Sequence, residues 1–280
     1  MSGSEGLGSR ILGLDRRIIA TIALATLIFP LIFPIGLPLA INEWTKVTWD
    51  VIESLPEGSV IVFESSFDTG YYGSIGPSLT ATLTHAMLKN LKIIVYALHI
   101  EGPIVFQTAF NDIPKAIRDT YVYGEDYVFL GFMTGGESAQ LTAAQDLRAL
   151  FSYDYYGTPL DDIPVLEGVN SYEDYDQIVV AYRGGEYGGH TTRIWAETFN
   201  MPYIHLSQQA TVPTNLFGVG ILAGYVRGTR GAAEYEKLNG VPGGALAMLD
   251  SMSLFFSWLM IAVVIGNIGY FLRKQETSRP

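Results

Sequence analysis

The chain has 280 residues, of which 28 are acidic and 17 basic, and its formal net charge is −11. The absence of cysteine excludes disulfides, thiolate metal sites and cysteine nucleophiles. Residues 42–245 hold 24 of the acidic and 11 of the basic residues, a formal charge of −13. Such a surface repels nucleic-acid phosphates, so we expect no nucleic-acid partner.

The first predicted membrane helix covers residues 18–41. These 24 residues carry no charge, and at 1.5 Å per residue they reach about 36 Å, more than a hydrocarbon core of roughly 30 Å. Pro30, Pro34 and Pro38 recur every four residues and should kink the outer half. A cleaved signal peptide is the alternative, but the 17-residue lead-in and the lack of a clear cleavage site favour an anchor.

The second predicted membrane helix covers residues 246–272, with an uncharged core at 251–272. A soluble helix of that length and uniformity would be unusual, so a membrane span is the better interpretation. Gly266, Asn267 and Gly269 are residues of the kind that pack helices together in lipid, and we predict that they form an interface.

The basic residues near the two spans predict the orientation of the chain. We expect residues 1–17 and 273–280 in the cytoplasm and residues 42–245 as an extracytoplasmic domain of a two-pass protein of the cell membrane. The residues that carry this prediction are Arg10, Arg16, Arg17, Arg273, Lys274 and Arg279.

The middle domain alternates short apolar runs with helical stretches. The runs at 59–63, 92–98, 127–132, 176–182 and 202–206 predict five strands, and most of the intervening segments predict helices. This alternation is typical of right-handed crossovers and a mostly parallel sheet. We therefore predict an α/β fold, a five-stranded doubly wound domain of Rossmann-like or flavodoxin-like type between two transmembrane helices.

Residues 215–225 break this alternation, because they are apolar on every side and yet too short to cross a membrane. The pattern predicts a helix that either fills the core or docks on the membrane or on a partner. Gly220 and Gly224 would permit close helix approach, and with Phe217 they form a second predicted interface.

Three sequence stretches carry a resemblance to a known family. They are Asp126-Tyr-Val-Phe-Leu-Gly131, Asp154-Tyr-Tyr-Gly-Thr-Pro159 and Arg230-Gly-Ala-Ala-Glu-Tyr-Glu236. Over about residues 56–271 the chain resembles a family of prokaryotic membrane-anchored α/β proteins that has no established activity. The resemblance implies an α/β domain between terminal membrane helices and implies no mechanism. The stretch Phe132-Met-Thr-Gly-Gly136 departs from the Tyr-Lys-Pro-Gly version of that family.

Polar residues follow the predicted strands, and in open parallel sheets ligands bind beyond the carboxyl ends of the strands. We predict a ligand pocket there. Two glycines in the loop at 134–138 could leave N–H groups free for an anion, and a turn with a Ser138 N-cap is the alternative. The predicted pocket residues are Glu64, Ser65, Ser66, Asp68, His99, Glu101, Thr134, Gly135, Gly136, Glu137, Ser138, Arg183, Glu186 and Gln208.

Known cofactor motifs are lacking in the sequence. The glycines near residue 73 do not have dinucleotide spacing, and there is no P-loop. His99-x-Glu101 and Glu186-x3-His190 have suggestive metal spacing, but neither is a recognised ligand set. We therefore expect no metal and no cofactor.

Two functions remain open. The first is a membrane-anchored scaffold, sensor or assembly subunit without catalysis, whose partners are the lipid bilayer and other membrane proteins or a second copy of the chain. The second is a small-molecule-binding or hydrolytic domain that uses the predicted pocket, where Ser65 or Ser66 could form a triad with His99 and an acidic residue. We prefer the first, because the sequence contains no complete catalytic motif.

Overall fold

The structure is a computed structural model that describes residues 6–33, 35–182, 186–208 and 211–277, the side chains of 186–188 and 211–214 excepted. Leu39–Ala245 form one compact unit, and the segments before and after it form a second. The helices are α1 (Leu7–Leu12), α2 (Arg16–Ile32), α3 (Glu43–Glu53), α4 (Tyr72–Leu88), α5 (Gly102–Asn111), α6 (Lys115–Arg118), α7 (Gly136–Gln145), α8 (Leu147–Leu150), α9 (Glu186–Thr191), α10 (Thr211–Gly218), α11 (Gly228–Asn239) and α12 (Gly244–Thr277).

Six strands form one parallel sheet in the larger unit. They are β1 (Val60–Ser66), β2 (Lys92–Ala97), β3 (Tyr127–Phe132), β4 (Gln177–Tyr182), β5 (Tyr203–Ser207) and β6 (Leu222–Arg227). Their order across the sheet is β3-β2-β1-β4-β5-β6, and all pairs are parallel. β1 and β4 are buried along their whole length, as expected of central strands covered on both faces. The predicted α/β class and parallel sheet are confirmed.

Apolar cores lie on both faces of the sheet. On one face, residues of α7 and of the π-helical turn Thr192–Thr198 pack against the strands. On the other face, α4, α5 and α11 contribute Leu79, Phe106 and Tyr235 to the core. Because each strand sends alternate side chains to opposite faces, the same short apolar runs build both cores.

The prediction of five strands is wrong, because residues 215–225 are not one helix. α10 ends at Gly218, Gly220 turns the chain with a φ of +78°, and β6 follows beside β5. Phe217 packs, partly buried, against the core. A short segment that is apolar on every side fits a buried strand as well as a buried helix, so periodicity could not distinguish the two.

Helix α3 covers the outer edge of β6. Thr48 Oγ1 accepts a 2.7 Å hydrogen bond from the backbone N–H of Tyr225, and such donors at the edge of a sheet otherwise stay unpaired. A Cβ at Gly224 would lie 2.5 Å from Thr48 Oγ1 and 2.9 Å from Thr48 Cα. The close approach therefore requires glycine, and Gly224 contacts a helix of its own domain.

Helix α11 holds the segment that leads into the domain. The Glu234 side chain is fully buried. It accepts hydrogen bonds from the backbone N of Asn42 (3.1 Å), Asn42 Nδ2 (2.6 Å) and Thr45 Oγ1 (2.8 Å). Arg230 Nε, one turn earlier, donates another at 3.0 Å. A buried carboxylate needs such partners, and these bonds fix the start of α3 on α11.

The same helix holds the segment that leaves the domain. The Glu236 carboxylate accepts the backbone N–H groups of Gly243 (3.0 Å) and Ala245 (3.0 Å), where α12 begins. The first N–H groups of a helix lack partners within it, and a carboxylate also suits the positive end of the helix dipole. Between the two carboxylates, the Tyr235 hydroxyl lies 2.9 Å from His85 Nδ1 and joins α11 to α4.

The smaller unit pairs α2 with α12. Trp258 Nε1 donates to the Ile19 carbonyl at 3.3 Å, and the Ser251 hydroxyl donates to the Leu27 carbonyl. The later contact residue of α12 pairs with the earlier one of α2, so the two helices are antiparallel.

A third buried acid, Asp250 of α12, fixes the chain just after α2. Asp250 is 2% exposed, and its carboxylate accepts the backbone N–H groups of Ile35 (3.0 Å), Gly36 (2.8 Å) and Leu37 (3.1 Å). Backbone donors that leave a helix need new acceptors. One carboxylate satisfies three of them here.

Within the described residues, α12 is the one helix long and apolar enough to cross a membrane, by length and composition. α2 has 17 residues, about 25 Å, and residues 35–42 have no regular secondary structure. The predicted membrane helix over residues 18–41 is therefore too long, because the helix ends at Ile32. Pro30 lies inside α2 and Pro38 beyond it, and proline removes the N–H that a longer helix would need.

We predict that Glu234→Ala lowers the free energy of unfolding of the full chain by about 3 kcal/mol, because it leaves several buried donors without an acceptor. The matched control is Glu43→Ala, an exposed acid in the first turn of α3, which should cost under about 1 kcal/mol. Chemical denaturation in detergent, followed by tryptophan fluorescence, measures both. Equal losses for the two variants would contradict a structural role for Glu234.

Candidate functional site

The strand order reverses between β1 and β4, so the carboxyl ends of these strands border the place where sheets of this type bind ligands. Three predicted pocket residues, Glu64, Ser65 and Ser66, are in the last part of β1. All three are buried.

Glu64 is the centre of a buried polar network. Gln140 Nε2 of α7 donates to Glu64 Oε2 at 2.6 Å and lies 3.2 Å from Thr191 Oγ1. The Tyr96 hydroxyl lies 3.5 Å from the same carboxylate oxygen. Burial raises the pKa of Glu64, and hydrogen bonds from Gln140, Ser66 and Tyr96 offset only part of that rise. The carboxyl group therefore takes up a proton more readily than an exposed glutamate.

The two predicted serines bond to the backbone. Ser65 Oγ lies 3.4 Å from the Gly102 carbonyl, and Ser66 Oγ accepts the Leu98 N–H at 3.0 Å. His99 Nδ1 accepts a backbone N–H of its own loop. Across the described ranges no hydrogen bond joins either hydroxyl to His99, so the proposed triad lacks a contact between nucleophile and base.

Glu101 ties two loops of this edge together. Its carboxylate accepts Thr69 N at 2.8 Å and Thr69 Oγ1 at 2.7 Å, and these bonds lower the pKa of Glu101. Asp68, partly exposed, precedes Thr69 at the start of a short 3-10 turn. The loops after β1 and β2 are thereby held against each other.

The loop between β3 and α7 has two residues with positive φ, Gly135 (+132°) and Gly136 (+53°). Ser138 Oγ donates back to the Gly135 carbonyl at 2.9 Å. Arg193 donates to both oxygens of Glu137, from Nε at 3.0 Å and from a terminal nitrogen at 2.8 Å. These bonds lower the pKa of Glu137. A negative charge thus already lies on the helix end where an anion would bind.

Four predicted pocket residues remain, of which the structure describes the side chains of two. Thr134 and Gln208 are exposed in the loops after β3 and β5. Arg183 and the side chain of Glu186 lie outside the described residues.

A second buried polar side chain, His205 of β5, lies among aromatic rings. The ring centroids of Tyr182, Tyr203 and Tyr225 are 4.7, 6.1 and 5.9 Å from that of His205. His205 Nδ1 has no hydrogen-bond partner in the part of the chain that the structure describes. Burial lowers the pKa of His205 to about 3, so the imidazole is neutral at physiological pH.

Three residues of the network were not predicted from the sequence: Gln140 and Tyr96, which bond to Glu64, and Thr191, which bonds to Gln140. Gln140 is buried in α7 beside buried alanines. An amide among alanines in the sequence was the one signal that could have indicated a buried polar side chain. Tyr96 and Thr191 come from distant parts of the chain, and only the fold brings them into the network around Glu64.

The predicted interface residues of α12 differ in their surroundings. A Cβ at Gly269 would lie 2.7 Å from Ile11 Cγ2, so this glycine permits the packing of α1. Around Gly266 no described atom, apart from its chain neighbours and the backbone of its own helix, lies within 4 Å of such a Cβ. Asn267 is exposed, and its Nδ2 donates to the Val263 carbonyl at 2.9 Å.

Neither a metal-site search nor a comparison with known proteins assigns a function to the site. In the described ranges no group of three His, Asp or Glu side chains could hold a metal ion. Comparison with family models, with curated proteins and with solved structures gave no match. The geometry of this chain therefore carries the functional argument.

We predict that the stability of the wild type, relative to Glu64→Gln, falls as the pH rises from the ordinary value of 4.5 through the raised pKa of Glu64. A raised pKa in the folded state means that folding favours the protonated form, and this advantage disappears as the carboxyl ionises. Each unit of elevation corresponds to about 1.4 kcal/mol.

Chemical denaturation of the full chain in detergent at a series of pH values checks this prediction. Glu197→Gln, the same substitution at an exposed position in the π-helical turn, is the control for replacing a carboxyl by an amide. A constant difference between wild type and Glu64→Gln would contradict the raised pKa.

Proposed function

We propose that the chain is a two-pass membrane protein whose α/β domain works without catalysis, as a sensor or assembly subunit of a membrane protein complex. In this proposal both termini are cytoplasmic and the domain is extracytoplasmic. The partners are the lipid bilayer and other membrane proteins or a second copy of the chain.

The observation that carries the proposal is the way in which α11 fixes both ends of the domain. Glu234 bonds to Asn42, and Lys237 Nζ donates to the Leu39 carbonyl at 3.0 Å. Glu236 fixes the start of α12. An enzyme that only needs to stay near a membrane can use flexible linkers. A sensor or assembly subunit needs fixed chain ends, since a change in the domain must reach the helices.

Two features support a second span. α2 pairs with α12 in antiparallel fashion through its backbone carbonyls. Both helices expose large apolar side chains, among them Leu24, Phe29, Met260 and Phe271. Contiguous apolar surface of this kind is unfavourable in water and matches a lipid environment. A bilayer can thin locally around a helix shorter than its hydrocarbon core, at a modest cost in free energy.

The orientation rests on basic residues. Arg16 and Arg17 begin α2, and Arg273 and Lys274 lie near the end of α12. Basic residues beside spans favour the cytoplasmic side. The resemblance to the family of prokaryotic membrane-anchored α/β proteins is part of the same proposal and agrees with this arrangement.

The pocket alternative has less support. The described polar side chains at the carboxyl edge mostly bond to one another or to the backbone, as the pairs Glu101–Thr69 and Glu137–Arg193 illustrate. A catalytic site instead needs a nucleophile or a base within reach of a substrate. The described part of this edge is better suited to holding loops together.

Single cysteines test the topology, because the chain has none of its own. We expect Ser4→Cys and Ser278→Cys to be shielded from a membrane-impermeant thiol reagent in intact cells. Ser152→Cys, at an exposed position of the domain, should react. Labelling at the two tails with protection at residue 152 would overturn the proposed orientation.

Association in the membrane tests the assembly role. We expect native electrophoresis after gentle solubilisation to give a protein mass, corrected for bound detergent, of at least twice the 30.7 kDa of the monomer. Asn267→Leu should lower that mass, because the carboxamide uses one N–H within its own helix and offers a partner its second N–H and its oxygen, whereas a hydroxyl has a single donor. The control is Ser257→Leu, which removes an exposed hydroxyl that bonds to its own helix at the Ser253 carbonyl. A monomeric wild type would contradict the assembly proposal.

A further inference from the structure

An aromatic groove of about 330 Å³ lies beside β3 at the free edge of the sheet. Eight residues line the groove, and none of them is charged. Two of the eight have amide side chains. The other six are aromatic, namely Phe106, Phe110, Tyr123, Tyr127, Phe129 and Tyr156.

The rings of the groove stand in different planes. Tyr123 is perpendicular to Tyr127, with centroids 5.1 Å apart and an angle of 90°, and nearly perpendicular to Tyr156, at 5.0 Å and 83°. Phe110 stacks on Tyr127 at 4.8 Å. Tyr156 is 65% exposed, so one wall is open to solvent. Aromatic walls in several planes are the arrangement that surrounds quaternary and methylated ammonium groups in proteins.

A buried carboxylate lies behind one of these walls. The Tyr123 hydroxyl donates to Asp154 Oδ2 at 2.6 Å, and Asp154 is 6% exposed. The N–H groups of Tyr156 (2.9 Å) and Thr158 (2.7 Å) hold its other oxygen. A phenol that donates to a carboxylate has a more electron-rich ring, which strengthens the attraction of its face for a cation.

Charge in the surroundings also favours a cation. Residues 42–245 have a formal charge of −13, and such a field raises the local concentration of cations. One basic residue, Arg118, acts on Tyr127. Its guanidinium donates to the Asn111 carbonyl at 3.0 Å and lies 3.8 Å from Asp119, so that carboxylate offsets part of its charge.

The backbone edge of β3 does not offer a site for an added strand. The Phe129 carbonyl accepts the Tyr155 N–H at 2.9 Å, and the Tyr127 carbonyl accepts the Gly124 N–H at 2.8 Å. The chain thus covers part of its own edge. The side-chain groove remains accessible.

We propose that this groove binds a small organic cation with a quaternary ammonium group. Such a group is bulky and weakly hydrated, so aromatic faces can replace its water, whereas a primary ammonium is strongly hydrated. The site extends the function beyond anchoring and assembly. Its loss would leave both intact, so the two proposals fail separately.

Calorimetric titration of the full chain with choline, in a maltoside detergent that has no ammonium group, tests the site. We expect saturable binding of choline and of tetramethylammonium. The neutral isostere 3,3-dimethylbutan-1-ol has the same shape without the charge and should bind about tenfold more weakly. Equal binding of the isostere, or no saturable binding of either cation, would overturn the proposal.

Variants assign the binding to the groove. Tyr156→Ala should weaken choline binding about tenfold, and Tyr156→Phe should retain it, because the ring face and not the hydroxyl makes the contact. Tyr153→Ala is the matched control, since Tyr153 is 59% exposed in the same loop and does not line the groove. Wild-type choline affinity in Tyr156→Ala would place the binding elsewhere. Binding of a proline-rich peptide in place of choline would likewise contradict the proposed occupant.

Discussion

Two buried carboxylates on one helix, Glu234 and Glu236 of α11, hold the domain at both of its chain ends. Residues two apart on a helix point in nearly opposite directions, so each carboxylate can serve a different segment. Glu234 fixes the start of α3, and α3 in turn covers the edge of β6 through Thr48. Glu236 fixes the start of α12. Both the helix that covers the edge of β6 and the start of α12 are therefore fixed by one turn of α11.

A carboxylate that accepts backbone N–H groups recurs at three other places where the chain leaves regular structure. Asp250 accepts three backbone N–H groups after α2, Glu101 accepts that of Thr69, and Asp154 accepts those of Tyr156 and Thr158. Backbone donors in such places must find an acceptor, and a carboxylate is a strong one. Part of the acidity of this chain is thus structural.

The sequence predicted local patterns well and distant contacts poorly. Five strands were found from short apolar runs, whereas β6 was missed because its segment is apolar on every side. Glu64 was identified because it ends a strand, but its partner Gln140 comes from a helix 76 residues away. The Gly-Ala-Ala-Glu-Tyr-Glu run belongs to one of the three stretches that carry the family resemblance. Its structural task could not be predicted, because Asn42 lies 192 residues from Glu234.

Hydrogen–deuterium exchange of the full chain in detergent tests the central claim most directly. The backbone N–H groups of Asn42, Gly243 and Ala245 precede or begin helices, where exchange is ordinarily fast. Because buried carboxylates of α11 hold them, they should exchange as slowly as the interior of α11 itself. Exchange of these three amides at the rate of the exposed loops, with α11 still protected, would contradict the account.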